Sequence, residues 1–489
     1  MSFINAHILT LITFIPLVGT AIIIATPKNK ELAIKVIALI ATGLVLLGSV
    51  YLFFIFDFSE PGFQFSEKYK WIEAIDANYF MAVDGISLPL IIVTALLTFV
   101  CIPVSWNYER VKEYFGLLLF LEVGMIGVFM ALDFILFYVF WELVLIPMYF
   151  LIGIWGGPRK EYAAIKFFLF TLAGGIFMLA AILAIFFYSG MHTFDMLKLA
   201  DANLPIAVEK LAFLGFFLAF GVKVPIIPFH TWLPDAHVEA PTAISVLLAG
   251  VLLKMGTYGF LRVGLQVVTD GMRAFILLVA IIGVISIIYG ALNAMVQKDL
   301  KKMVAYSSIS HMGFVMLGIA SMSVIGLTGA VLYMFNHGMI TGMLFITVGL
   351  IYDRTHTRMI EDIKGIYISV PIIAGIWTFI SFASLGLPTL SGFVSEFYVL
   401  SGSFPVYRVL SSIAAVGLII TAGFFIWTIR RISFGTTDEK FKMFDATPRE
   451  IFYVAPLLIL ILIMGIYPAM MLDIINPTVI QVVATLGGA

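Results

Sequence analysis

Two lysines, Lys223 and Lys254, lie deep inside apolar stretches, residues 211–229 and 243–260. Glu142, Glu396, His311 and His337 are embedded in hydrophobic runs in the same way. A charge at the centre of a bilayer helix costs ~2.5–3.5 kcal/mol on insertion scales, so such groups mark ion or proton paths by default. Amines, carboxylates and imidazoles share one chemistry, the gain and loss of a proton. Passing protons along a buried series is what these residue types offer.

Local settings sharpen this. Pro225 and Pro228 follow Lys223 and remove the amide partners of the Gly221 and Val224 carbonyls. Bare carbonyls and water would solvate an ammonium that desolvation alone disfavours. Glu142, in Trp141-Glu-Leu-Val-Leu-Ile-Pro147, is the natural counter-ion, and Pro147 should kink its helix by freeing the Leu143 carbonyl. The plain structural alternative is a static ion pair in which neither partner titrates. Unit charges about 4 Å apart at an effective dielectric constant of ~20 interact by ~4 kcal/mol, enough for one pair to bias the next. Lys254, before Met-Gly-Thr-Tyr-Gly, is too deep to snorkel easily.

His311 has Ser307 and Ser308 four and three residues back on one helix face, and His337 has Thr341 four residues on. Hydroxyls beside an imidazole would line a water wire; a hydrogen-bonded core role is the alternative for each histidine. Glu396 follows Leu385-Gly-Leu-Pro-Thr-Leu-Ser-Gly392 and would handle the proton at the far end of the path, or else cap a second half-helix. Glu122 is a second intramembrane acid, read as nearer one end of its helix and facing the interface. His230, Asp235, His237 and Glu239 crowd the turn 229–242. Their spacing matches no standard zinc motif, so a conduit mouth or a subunit contact is favoured over a metal site.

What must position these residues is lipid-soluble helix. Hydrophobic residues make up 62% of the 489, charged residues 12%, and mean hydropathy is +1.10. No soluble domain of this length has that balance. A net charge of −1 without a basic stripe excludes a nucleic-acid role. A span needs ~20 apolar residues, and fourteen are expected: 7–25, 33–56, 80–105, 114–131, 134–155, 162–189, 211–234, 240–268, 273–296, 303–320, 324–351, 371–403, 407–433 and 451–472. The chain reads as an all-α integral membrane protein.

Spans 7 and 12 are expected to be broken at their Gly/Pro runs. Five is odd, so spans 4–8 and 9–13 would be repeats of opposite topology, with the site between the broken helices. The units are then 1–113, the repeats 114–268 and 269–433, and a C-terminal part 434–489. Connectors 57–79 and 190–210 have room for short surface elements. Segment 434–450, with Asp438, Glu439, Lys440 and Lys442, suits an amphipathic surface helix.

Nineteen of the 28 lysines and arginines flank the connectors after odd-numbered spans, seven flank the others, and two are intramembrane. That bias puts both termini outside. The run 8–25 reads as a retained first helix rather than a cleaved signal. The single cysteine, Cys101, reads as a small buried hydrophobe.

Five motifs together resemble the antiporter-like membrane subunits of respiratory complex I. They are Trp141-Glu-Leu-Val-Leu-Ile-Pro-Met, Lys223-Val-Pro-Ile-Ile-Pro-Phe-His-Thr-Trp-Leu-Pro-Asp-Ala-His, Leu252-Leu-Lys-Met-Gly-Thr-Tyr-Gly, Tyr306-Ser-Ser-Ile-Ser-His-Met-Gly and Ser391-Gly-Phe-Val-Ser-Glu-Phe. The likeness runs from about span 3 to span 13, and the motif at 223–237 is highly specific. An acid at 396, where the L and N branches usually carry lysine, and a chain that stops after span 14 point to the M branch. Subunits of Mrp-type Na⁺/H⁺ antiporters share most of these motifs and are the nearest alternative; a purely structural membrane anchor is a third.

The resemblance implies protons entering from the cytoplasm towards Lys254, passing His311 and water to Lys223 and Glu396, and leaving outside. It implies that Glu142 modulates Lys223 and that the neighbours are L- and N-type subunits and lipids. The membrane would be the bacterial inner membrane, with both termini periplasmic. Flavin mononucleotide, iron–sulfur clusters and quinone are expected in partner subunits. This chain has no cysteine cluster and no strand-to-helix G-x-G-x-x-G. Buried lysines discourage a bound sodium ion, which favours protons.

Overall fold

The computed structural model describes residues 3–436 and 444–487. The helices are α1 (Ile8–Ala25), α2 (Glu31–Ile55), α3 (Ser87–Val104), α4 (Val111–Met130), α5 (Phe134–Trp155), α6 (Lys160–Tyr188), α7a (Ile206–Lys223) with α7b (Trp232–Glu239), and α8 (Thr242–Gly264). They continue as α9 (Thr269–Met295), α10 (Leu300–Ala320), α11 (Val324–Thr355), α12a (Pro371–Ser384) with α12b (Ser391–Ser403), α13 (Arg408–Ser433), α14 (Pro448–Ile466) and α15 (Ala469–Thr485). Among the described residues, 12 helices are long and apolar enough to cross a membrane. The two expected spans outside that set are the ones expected to be broken. α7a carries Glu209, Lys210 and Lys223, and α12 is split into two short halves.

Both breaks occur where the prolines require them. Part of the interrupted backbone finds new partners. Ile226 N–H donates to the Gly221 carbonyl (3.0 Å), and the Trp232 indole donates to Val222 (2.9 Å). In α12 the Leu387 N–H reaches the Phe382 carbonyl (3.0 Å), and Asn336 of α11 donates to the Ser391 carbonyl (3.0 Å) and the Ser395 hydroxyl (2.7 Å). Side chains and shifted amides thus satisfy part of the backbone where the helix ladder fails. In each five-helix set the helix before the broken one packs along it, α6 on α7a and α11 on α12b.

The helices are apolar all round, so their sequences do not reveal which face is inside. The structure does. The spans of α8 and α11 are wholly buried and that of α10 nearly so, whereas only about a third of the residues in the spans of α2, α13 and α14 are buried. Lys254, His337 and His311 therefore stand on the three innermost rods.

Four elements differ from expectation. Residues 64–72 and 77–83 form an antiparallel hairpin, β1 (Gln64–Ile72) and β2 (Ala77–Val83), so α3 starts at Ser87 rather than residue 80. Its buried Glu67 accepts from the Leu9 and Thr10 amides (2.8 and 3.2 Å) and caps α1. A further helix, α15, follows the fourteenth span. Asp473, Asn476 and Pro477 interrupt its apolar pattern, and it is held by tertiary bonds from the Gly85 amide to the Thr478 hydroxyl (3.0 Å) and from the Thr328 hydroxyl to Asn476 (2.9 Å). Arg262, one of the seven charges counted beside the connectors after even-numbered spans, is buried at the end of α8 beside Asp84 (2.6 Å). Lys301, one of the nineteen charges counted beside the connectors after odd-numbered spans, is buried on α10 and donates to the Ala240 carbonyl.

The charged centre of the surface helix expected at 434–450, with Asp438, Glu439, Lys440 and Lys442, lies outside the described residues. Just after it, Thr447 and Glu450 form a capping box opening α14, and Arg354 grips Glu450 through two bonds (2.8 and 2.7 Å).

Candidate functional site

Lys254 sits between two π turns of α8, Leu248–Leu252 and Phe260–Gly264. Such widened turns recur at functional sites because they displace one carbonyl from the regular ladder. Its Nζ donates to the Ala249 carbonyl and lies 2.6 Å from His337 Nδ1. The His337 and His311 rings are 5.5 Å apart between centroids. His311 Nδ1 is 2.6 Å from the Tyr333 hydroxyl, and that hydroxyl donates to Glu396 Oε1 at 2.9 Å. On its other edge His311 Nε2 meets the Ser384 hydroxyl at 3.2 Å, at the end of α12a. Four of the expected residues, Lys254, His337, His311 and Glu396, thus form one buried series across α8, α11, α10 and α12b.

Glu396 is the sixth residue of α12b and does not cap it. Its carboxylate turns back into the break: a Cβ placed on Gly386, at φ +80°, would lie 2.1 Å from Oε2. The same carboxylate borders a cleft of about 730 Å³ walled by Leu385, Phe393, Phe397, Leu400 and Leu418.

Lys223 and Glu142 form a second cluster. Each is the charge that acts on the other, but they do not make the expected ion pair. Lys223 Nζ lies 5.1 Å from the centre of the Trp141 ring, a cation–π arrangement. Glu142 Oε1 is buried without a hydrogen-bond partner among the described residues. It points at α6, where a Cβ on Gly175 would come within 1.8 Å of it. The helix is interrupted at Val144, two residues after the acid, where Pro147 predicts a kink. Gly175→Ala is therefore expected to push the carboxylate off α6 and to give the phenotype of Glu142→Gln in proton uptake. Gly153→Ala, whose Cβ would meet only Ala164 at an ordinary 3.5 Å, is the control. Equal behaviour of the two variants would show that the carboxylate position does not matter.

His311 bonds to Tyr333 and Ser384, not to Lys223, so the two clusters are separate groups. They meet through backbone. A Cβ on Gly256, two residues after Lys254, would lie 2.7 Å from the Phe220 carbonyl of α7a.

The remaining candidates divide. Glu122 is fully buried in α4, not at an interface, and neither of its oxygens has a partner among the described residues. His237 is buried and stacked on Phe345 with centroids 4.4 Å apart. His230 meets Tyr289 edge-on at 5.0 Å. Asp235 pairs with Lys166 (2.7 Å) and Glu239 with Arg159 (3.5 Å), tying the turn to α6 and to the α5–α6 connector. No cluster of metal-ligating type occurs among the described residues. The Ser307 and Ser308 hydroxyls bond back to the Val304 carbonyl (2.8 and 3.1 Å) rather than to His311, and Thr341 has no bond to His337. Helical hydroxyls find a carbonyl on their own helix first.

Tyr333 was missed by sequence reading, as were Trp141 as the seat for Lys223 and Ser384 as a partner for His311. The one available signal for Tyr333 was its position four residues before His337, on the same helix face.

The NADH:quinone oxidoreductase/Mrp antiporter transmembrane family model matches residues 131–421. NADH-quinone oxidoreductase subunit M of Rhodobacter capsulatus is 43% identical, over 98% of this chain and 96% of its own length. The chain belongs to the subunit M family of the NADH–quinone oxidoreductases. A chain of respiratory complex I from Thermus thermophilus has the same fold, with a TM-score of 0.90, 30% identity and coverage of 98% of this chain and 100% of that one. A chain of the Mrp complex from a Dietzia strain shares the fold at a TM-score of 0.85 and 18% identity, covering 99% of this chain and 98% of that one. Both complex I and Mrp subunits therefore use this multi-pass helical frame, and sequence places this member with subunit M.

Proposed function

We propose that this chain carries protons across the membrane as one subunit of a redox-driven NADH–quinone oxidoreductase. The observation that carries the reading is the buried series Lys254–His337–His311–Tyr333–Glu396, joined by contacts of 2.6–2.9 Å on either side of one ring-to-ring step. Five polar groups at this depth are costly for a mere anchor. Lys254 takes up a proton on the cytoplasmic side, the histidines pass it on, and Glu396 holds it at the α12 break. Lys223, seated on Trp141 and within the field of Glu142, biases the series through the α7a–α8 contact.

In this reading spans 4–8 and 9–13 are inverted repeats, the termini lie on the periplasmic side of a bacterial inner membrane, and L- and N-type subunits are the neighbours. Flavin, iron–sulfur clusters and quinone are assigned to partner subunits. The fold likeness to an Mrp chain at 18% identity does not favour antiport.

The test is Lys223→Ala and Lys254→Ala in the whole complex, with assembly checked and NADH-driven acidification followed in inverted membrane vesicles. Loss of both quinone reduction and proton uptake in assembled variants is the expected result. Normal turnover and uptake in both would leave the buried lysines as structural groups and end the proton-path reading.

A further inference from the structure

We propose that Tyr333 is an obligatory proton relay between His311 and Glu396, a step that rests on the proton-path reading above. The histidine and the acid do not touch, since His311 Nδ1 and Glu396 Oε1 are 4.0 Å apart. The Tyr333 hydroxyl stands between them at 2.6 and 2.9 Å, and all three side chains are buried. On the histidine side of the hydroxyl, the space enclosed by His311, Tyr333, His337 and Ser384 has no room for a water molecule.

The transfer balances with one proton. A protonated His311 gives its Nδ1 proton to the Tyr333 oxygen as the tyrosine gives its own proton to the Glu396 carboxylate. His311 becomes neutral, Glu396 becomes neutral, and Tyr333 is again a hydroxyl, now with its O–H facing His311. No second proton can follow until Glu396 is emptied and the hydroxyl has swung back. Tyr333 therefore meters the series at one proton per reorientation, and leaving Glu396 charged resets it.

The test compares Tyr333→Phe with Tyr333→Ser in the assembled complex, alongside Glu396→Gln. Phenylalanine keeps the ring and removes only the hydroxyl. Serine removes the ring but supplies a hydroxyl and space for water. Proton uptake per NADH is expected to fall about tenfold or more in Tyr333→Phe, since a positioned proton-transfer group typically contributes ~10²–10⁴-fold. Tyr333→Ser is expected to recover part of that loss, because water can bridge His311 to Glu396. A filled ring without a hydroxyl being worse than a cavity is a result that packing alone does not give.

Wild-type uptake in Tyr333→Phe, or an equal fall in both tyrosine variants, overturns the relay. If Tyr333→Phe is normal while Glu396→Gln is impaired, the relay fails and the proton path stands. If Glu396→Gln is normal too, the path itself fails.

Discussion

Arg262→Met is expected to prevent the chain from folding stably into its complex. Arg262 Nη2 lies 2.6 Å from Asp84 Oδ2, and both side chains are only 2% exposed. The guanidinium also bonds Tyr258 and Gln266 (3.1 Å each) and lies over the Phe63 ring at 4.7 Å. Asp84 uses its other oxygen to receive the Ile86 and Ser87 amides that open α3 (3.1 and 3.0 Å). Methionine would leave that carboxylate buried and unpaired, which typically costs ~3–5 kcal/mol. The double variant Arg262→Met with Asp84→Asn should regain much of the loss, because no charge is stranded. Thermal stability of the purified complex and its yield on native gels measure both. A single variant as stable as wild type would mean that water reaches Asp84.

Gly386→Ala is expected to uncouple the complex without preventing its assembly. Gly386 has φ +80°, a region that a Cβ disfavours, and the added methyl would lie 2.1 Å from Glu396 Oε2. The carboxylate must move, and its 2.9 Å bond from Tyr333 is lost. A hydrogen bond to a charged group contributes ~1.5–3 kcal/mol, so the coupled step should slow by roughly ten- to a hundredfold. Gly375→Ala on α12a, where a Cβ meets nothing within 4 Å, is the matched control. NADH-driven acidification in vesicles separates the two. Equal uptake in both variants would show that Glu396 can leave the break without consequence.

Glycines at both acids follow one pattern. Glu142 faces Gly175 on a neighbouring helix, and Glu396 faces Gly386 in its own broken rod. Each carboxylate occupies space that any larger residue would fill. These are two of the 41 glycines in the sequence, and nothing local singles them out. The partner acid, distant along the chain or across a break, is what makes them special.

The sequence by itself determined which residues are costly and where the rods must break. A lysine within twenty apolar residues is conspicuous in any fold, and Pro225 or Pro388 cannot continue a helix whatever surrounds it. Hence the spans, the breaks in α7 and α12, and the set Glu142, Lys223, Lys254, His311, His337 and Glu396 were legible. The tertiary structure alone decided who meets whom. It put Lys254 against His337, Lys223 over Trp141, and Tyr333 between His311 and Glu396; it also packed α15 and joined Asp84 to Arg262. In a soluble helix the polar face tells which way the rod is turned. Here lipid and core are equally apolar, so the rotation of each helix is set by packing against its neighbours, and that is not written along any single span.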